Sequence, residues 1–379
     1  MEKTTTVYET EVLVVGAGPA GCATALSLLN YSDTQVMLVE QGDLSQVRVG
    51  EQVSATIFKF FDYLKLTEED FNPNDYMPSY SSVSYWGSHR PSTRNSIFTT
   101  EEANYQLNRE AFDLSLLSKV STLGGTVLPR TKVQSIRHCS DGRWELELLH
   151  AEQGPLRILA KYLVDATGRN ASISRQLEVE VQKHDKLMGL GCFFSLPKGH
   201  QQDYGHVLES CEDGWWYCAQ LPDNQMVVSL FSDADIVSNK RLNLKQHWLE
   251  ALARTQHITD SLQGVTLSAD KLWVRNAGSH VLRGKQPDNF LAVGDAACAF
   301  DPISSMGIGF ALSSGCQAAI TIIHHEGDSS DEAFALYQQD LQHIFDDYLA
   351  TRQTIYDKEQ RWLESAFWRR RGFSMVPSE

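Results

Sequence analysis

The stretch VLVVGAGPAG at residues 12–21, followed by VMLVE at 36–40, decides how the first part of this chain folds. Val12 to Val15 are apolar and β-prone, as a buried parallel strand requires. Gly16 permits a tight turn, Gly18 lets the backbone approach a pyrophosphate, and Gly21 lets the next helix pack closely on the strand. Pro19 and Ala20 open that helix, predicted to run to about Asn30, and its N-terminal amides and dipole attract phosphate. A second apolar strand ends at Glu40, whose carboxylate can accept hydrogen bonds from both hydroxyls of a ribose. Strand, glycines, helix and acid in this order predict a dinucleotide site.

Working outward, strand and helix alternate over the first 65 residues, and QVSATIFKFFDYLKL (52–66) has apolar residues at helical spacing. From Asn72 to Arg94 the composition predicts a loop with short strands, and NREAFDLSLLSKV (108–120) predicts a helix. A run of strands follows to DATG, with Asp141-Gly142 as a hairpin turn. Residues 185–232 and 263–275 read as β-rich around a helical stretch, and after Pro302 the chain reads as helical. The predicted class is α/β: a discontinuous Rossmann-like domain over 1–80, 105–180 and 276–330. An antiparallel β-sheet substrate domain over 81–104 and 181–275 is inserted into it, and C-terminal helices span 331–379. A cleft between such domains is a favoured ligand site.

The chain has 379 residues and a formal net charge of −15, which disfavours nucleic acid as a partner. Its seven cysteines lack CxxC spacing, so no metal site and a reducing, cytoplasmic setting are expected. Cys22 and Cys298, beside the glycine-rich segments, read as small packing residues. The polar start MEKTTTVYET does not read as a signal peptide, and no membrane-length apolar run is expected.

A second glycine-rich stretch, FLAVGDAACAFDPISSMGIG (290–309), lies far down the chain. With VVGAGPAG, Glu40, RVGEQ (48–52), Arg109 in NREAFD and DATGR (165–169), it resembles the FAD fingerprints of group A flavoprotein monooxygenases and flavin halogenases. The resemblance implies FAD, bound by Gly16, Gly18, Pro19, Ala20, Gly21, Glu40 and its neighbour Gln41, Arg48, Arg109 and Gly168. It adds Gly294, Asp295 on the ribityl chain, and Asp301, Pro302, Gly307 and Gly309 in a turn whose helix faces the isoalloxazine ring. A helix N-terminus there suits a reduced flavin that is anionic.

Two departures bear on the chemistry. Tryptophan halogenases keep an essential lysine in a segment comparable to SVSYWGS (82–88), where this chain has none. They also keep a glutamate in a turn where this chain has Ser304. The YWGS segment, GWWY with a following LP (214–222) and DPISS-x-G are similar to the LodB/GoxB-type flavoproteins required for cysteine tryptophylquinone biogenesis in amino-acid oxidases. That resemblance implies a monooxygenase hydroxylating a tryptophan of a precursor oxidase, through a flavin C4a-hydroperoxide. NAD(P)H or a separate flavin reductase would supply the electrons, with no membrane partner.

Candidate cleft residues are Tyr85, Trp86, Trp215, Trp216, Tyr217, Ser304 and Ser305. Adjacent tryptophans on a strand face opposite sides, so at most one of Trp215 and Trp216 can face a cleft. His206, near Tyr204, could act as a base, although a surface strand histidine is the simpler reading. RWLESAFWRRRGF (361–373) could dock a partner or form a solvated helix whose aromatics pack on the body. Three other readings stay open: an FAD hydroxylase or reductase of a small aromatic or isoprenoid substrate, a halogenase-like enzyme, and a chaperone holding FAD structurally.

Overall fold

An apolar run such as Val12–Val15 can be buried on both faces only with a strand on either side of it. The computed structural model describes residues 6–45, 48–96, 103–197, 205–268, 271–328 and 332–372. In it, Thr6–Val15 runs parallel to Val36–Val39 on one side and to Gly154–Asp165 on the other. The sheet has seven strands, ordered Thr126–Leu128, Val36–Val39, Thr6–Val15, Gly154–Asp165, Trp144–His150 and Thr131–His138. Its seventh strand, Phe290–Ala292, pairs in parallel with the end of Gly154–Asp165. The chain thus returns to its first sheet only after its middle has been laid elsewhere.

The helix Pro19–Tyr31 shares one core with this sheet and with the long helix Gly307–Asp328. The two helices approach so closely that a Cβ on Gly315 would stand 2.4 Å from the Ala20 carbonyl oxygen. Contrary to the sequence expectation, one helix among the described residues, Gly307–Gly327, is long and apolar enough to cross a membrane, by length and composition. Of its apolar window 61% is buried inside the protein, against Pro19–Tyr31 among other elements, which accounts for the apolar face.

A second, eight-stranded sheet runs Thr266–Leu267, Leu187–Ser195, Gln225–Asp233, Gly214–Leu221, His206–Cys211, Ser81–Tyr85 and Ser92–Asn95, with Trp273–Asn276 also pairing to Leu187–Ser195. Its neighbours are antiparallel except His206–Cys211 beside Ser81–Tyr85. One face packs Trp216, Val228 and Leu230 against Trp248 and Ile258 of the helices Lys245–Leu252 and His257–Ser261. The other face gathers Trp215 and Phe231 with Tyr356, Phe367 and Trp368 from the end of the chain.

One expectation needs correction. The helix read over 52–66 spans only Ile57–Tyr63, because Gln52–Val53 is drawn into pairing with Asn104–Leu107. Of the arginine run at 369–371, Arg369 and Arg370 are exposed, as a solvated face would be, with Phe367 and Trp368 packed on the body, and only Arg371 is buried. Arg370 bonds Asp233 and Asp235 at 2.8 and 2.7 Å, and buried Arg371 holds Asp233 at 2.6 Å. Phe373 lies outside the described residues.

Candidate active site

The three glycines of the first turn have different jobs. Gly16 adopts φ +115°, and a Cβ on it would stand 2.2 Å from the Ala166 carbonyl oxygen. A Cβ on Gly21 would meet the Gly16 carbonyl oxygen at 2.0 Å. Gly18 is crowded by nothing nearer than an Arg48 nitrogen at 3.9 Å from such a Cβ, so its bareness leaves space for a ligand. Glu40 holds the turn: its two carboxylate oxygens accept from Ala17 N at 3.0 Å and Gly42 N at 2.8 Å.

A cavity of about 300 Å³ opens where the carboxyl ends of the parallel strands face the second sheet. This is where open α/β sheets bind ligands. On the first-sheet side it is lined by Gly18, Pro19 and Ala20, by Arg109 and Gly168, and by Asp295, Pro302, Ser305 and Gly307. Gly16 and Gly21 sit just behind it, packing the turn. Gln41, Ser304 and Gly309 are not among its lining residues, nor are Glu40, Arg48 and Gly294. Gly294, at φ +56°, packs against Ala20, where a Cβ would stand 2.7 Å from the alanine methyl. Arg48 and Arg109 share Asp113, with contacts of 2.8 and 3.1 Å, and Arg109 also donates to the Val49 and Gly50 carbonyls.

Arg169, which closes DATGR, was not singled out from the sequence, although its motif was. It donates to the Gly278 and Phe300 carbonyls at 2.9 and 2.6 Å and lies 3.2 Å from Asp295 Oδ2, bracing two distant fingerprints. Asp295 Oδ1 is buried and has no hydrogen-bond partner among the described residues. Asp165 is structural, its oxygens holding the amides and hydroxyls of Thr167 and Ser174. An open cradle at Gly18, the starts of two helices lining the cavity and an orphaned acceptor at Asp295 fit FAD.

The turn at 301–307 is fixed from behind. Asp301 is fully buried, and its carboxylate accepts from Ile303 N, Tyr356 Oη and Arg352 Nε at 3.0, 2.8 and 3.3 Å. Ser304 donates its hydroxyl to the Asp301 carbonyl at 2.9 Å, so it serves the turn. Of the two serines in the turn, Ser305, at φ +50°, lines the cavity.

Across the cavity stand Trp215, Tyr217, Phe231, Trp273 and His206, and Glu51 and Gln52 also line it. Besides Ser304, three aromatic cleft candidates lie elsewhere. Trp216 points to the opposite face of its strand and packs on Trp248, ring centroids 5.2 Å apart. Tyr85 stacks on His257 beyond the sheet. Trp86 stands one layer behind Trp215, its indole donating to the Ile355 carbonyl at 2.9 Å. Strand alternation allowed one of the two adjacent tryptophans, and it is Trp215, stacked on Phe231 at 4.1 Å. His206 is no surface histidine: it is 8% exposed, burial lowers its pKa to about 4, and Nδ1 lies 3.3 Å from Gln52 Nε2. Glu51, Phe231 and Trp273 were missed, and only Glu51 had a signal, its place in RVGEQ.

Comparison with known proteins agrees with this architecture. The FAD binding domain family matches residues 9–349. LodB of Marinomonas mediterranea, named as an FAD-dependent oxidoreductase, is 44% identical over 361 residues, covering 95% of this chain and 96% of LodB. The solved structure of the myxobacterial chondrochloren halogenase CndH superposes with a TM-score of 0.88 at 22% identity, over 97% of this chain and 87% of that one. QhpG, a peptidyl tryptophan dihydroxylase essential for tryptophylquinone cofactor biogenesis, superposes at 0.75 and 23% identity, over 96% and 79%. At these identities the two structures speak to the fold, whereas the family match and LodB speak to kinship. The chain belongs to the FAD-binding-domain family, alongside LodB, and is an FAD-dependent oxidoreductase.

Proposed function

We propose that this flavoenzyme is a monooxygenase that hydroxylates a tryptophan side chain of a precursor amino-acid oxidase during tryptophylquinone biogenesis. The observation that carries this reading is the aromatic wall of Trp215, Tyr217, Phe231 and Trp273 set opposite the FAD-fitting cradle in one cavity. Such walls grip a planar, electron-rich ring and exclude water. Reduced FAD would supply the electrons that activate dioxygen for transfer to that ring.

The chain's own residues divide the work. Gly18 and the amides behind it would take the pyrophosphate, Glu40 the adenosine ribose and Asp295 the ribityl chain. Arg48 and Arg109, clamped by Asp113, set a fixed positive field beside the cradle. The turn from Pro302 to Gly307 would face the ring system, held by Asp301. Kinship with LodB and the likeness to QhpG support the choice of substrate. Halogenation is disfavoured because no lysine lines the cavity among the described residues and Ser304 is tied into its turn. The seven cysteines are free and mostly buried, which fits a reducing compartment.

The test is to incubate FAD-loaded protein, a reductant and oxygen with the unmodified precursor oxidase, and separately with free tryptophan. Mass spectrometry should find oxygen added to a precursor tryptophan, with no dependence on halide. A precursor that stays unmodified while free aromatics turn over would sink this reading in favour of a small-molecule hydroxylase.

A further inference from the structure

Glu51 is 5% exposed and lines the cavity, and its Oε1 has no hydrogen-bond partner among the described residues. An orphaned acidic oxygen in a ligand cavity is costly unless a ligand or a proton completes it. The groups around it come from several elements. Arg109, from the helix Arg109–Thr122, is its cationic neighbour, already occupied by Asp113 and two carbonyls and also within the field of Asp295. Tyr217, from Gly214–Leu221, feels the Glu51 charge and reaches Gln106 Oε1 at 3.5 Å. Gln106 is fully buried, and its Nε2 is also without a partner among the described residues. His206, from His206–Cys211, meets Gln52 and stays neutral above about pH 4.

Burial lifts the Glu51 carboxyl to about 7, opposed by Arg109 and by the amides of Glu51 and Gly50. A proton acceptor works best when it titrates near the operating pH.

We propose that Glu51 is the general base of the cavity, taking the proton that an aromatic ring carbon sheds once oxygen has been added to it. In that step the C–H electron pair returns to the ring and restores aromaticity, the hydrogen moves to a Glu51 oxygen, and no electrons leave the pair of reactants. The proposal rests on the aromatic-hydroxylase reading above, which supplies the oxidant as dioxygen and reduced FAD.

Two measurements on the FAD-loaded protein test it. Infrared titration without substrate should show a carboxylic-acid carbonyl band disappearing with a midpoint at about pH 7, absent from Glu51→Gln. With precursor oxidase as substrate, the wild-type rate should fall about tenfold per pH unit below that midpoint. Glu51→Gln should be about a hundredfold slower and flat with pH, with Glu51→Asp restoring part of the rate and the slope. A band that titrates in the ordinary carboxylate range, or Glu51→Gln with the wild-type rate profile, would overturn the proposal. A wild-type protein that never hydroxylates the precursor overturns the functional reading instead.

Discussion

At the scale of single residues, glycines that look equivalent in a motif are separated by what a Cβ would strike. Gly16→Ala forces a β-carbon into the Ala166 carbonyl at a positive φ, so the variant should lose a few kcal/mol of stability or fail to fold. Gly18→Val should fold normally and be colourless, because its side chain enters space meant for the cofactor. Flavin absorbance and thermal unfolding of the two variants separate these outcomes, and a yellow Gly18→Val would refute the second. Asp295→Ala should fold and lose flavin on dialysis. His206 and His280 give the apoprotein a pH signature, since burial lowers both to about 4 while an unfolded histidine titrates near 6.5. The unfolded chain then binds more protons in that window, so stability falls with pH from about 6.5 to 4, by roughly 2–3 kcal/mol per histidine. Glu51 acts in the opposite sense, adding stability as pH falls from 7 toward 4.5. Denaturant unfolding at pH 7 and pH 5 should show a smaller acid loss in His206→Gln than in the wild type.

At the scale of elements, the end of the helix Glu332–Tyr356 and the residues after it bind both halves of the active site. Tyr356 Oη donates to Asp301 Oδ2 at 2.8 Å and accepts from the Trp215 indole at 3.0 Å, so one hydroxyl joins the turn to the aromatic wall. Arg352 adds the charge partner of Asp301 and reaches Asp185 at 3.0 Å. Just beyond, Glu359 accepts from Gly87 N and Ser210 Oγ at 2.8 and 2.6 Å, anchoring the edge of the second sheet. A Cβ on Gly87 would stand 2.1 Å from the Lys358 carbonyl oxygen, which explains why glycine follows Trp86. Tyr356→Phe should lose about 1–3 kcal/mol, because it strands the buried Trp215 indole N–H and removes one of the donors to Asp301 Oδ2. It should also loosen FAD and shift the tryptophan emission. Flavin retention equal to the wild type would argue against a link between wall and turn.

At the scale of the molecule, the cavity exists because the first, mixed sheet and the second, mostly antiparallel one are tied by this terminal segment. A chain ended after Thr351 would expose the aromatic cluster of Trp86, Trp215 and Phe231 and strand Asp233 without Arg370 and Arg371. Leaving one partner of a buried ion pair uncompensated costs about 3–5 kcal/mol. The truncated protein should aggregate on size exclusion and hold no flavin, and a monodisperse yellow product would refute this account.

The sequence by itself determined the first strand, turn and helix and a dinucleotide site at their junction, because these depend on backbone geometry that only particular residues allow at fixed spacing, and its family resemblance named FAD as the ligand. It could also say that at most one of Trp215 and Trp216 faces a cleft, since strand alternation is local. Which one was decided by the tertiary structure, because the face of the second sheet that meets the cavity is set by packing against residues a hundred or more positions away. The same holds for Arg371, whose carboxylate partner Asp233 lies far back in the chain, and for His206 and Glu51. Their chemistry comes from burial, and burial is a property of the assembled sheets.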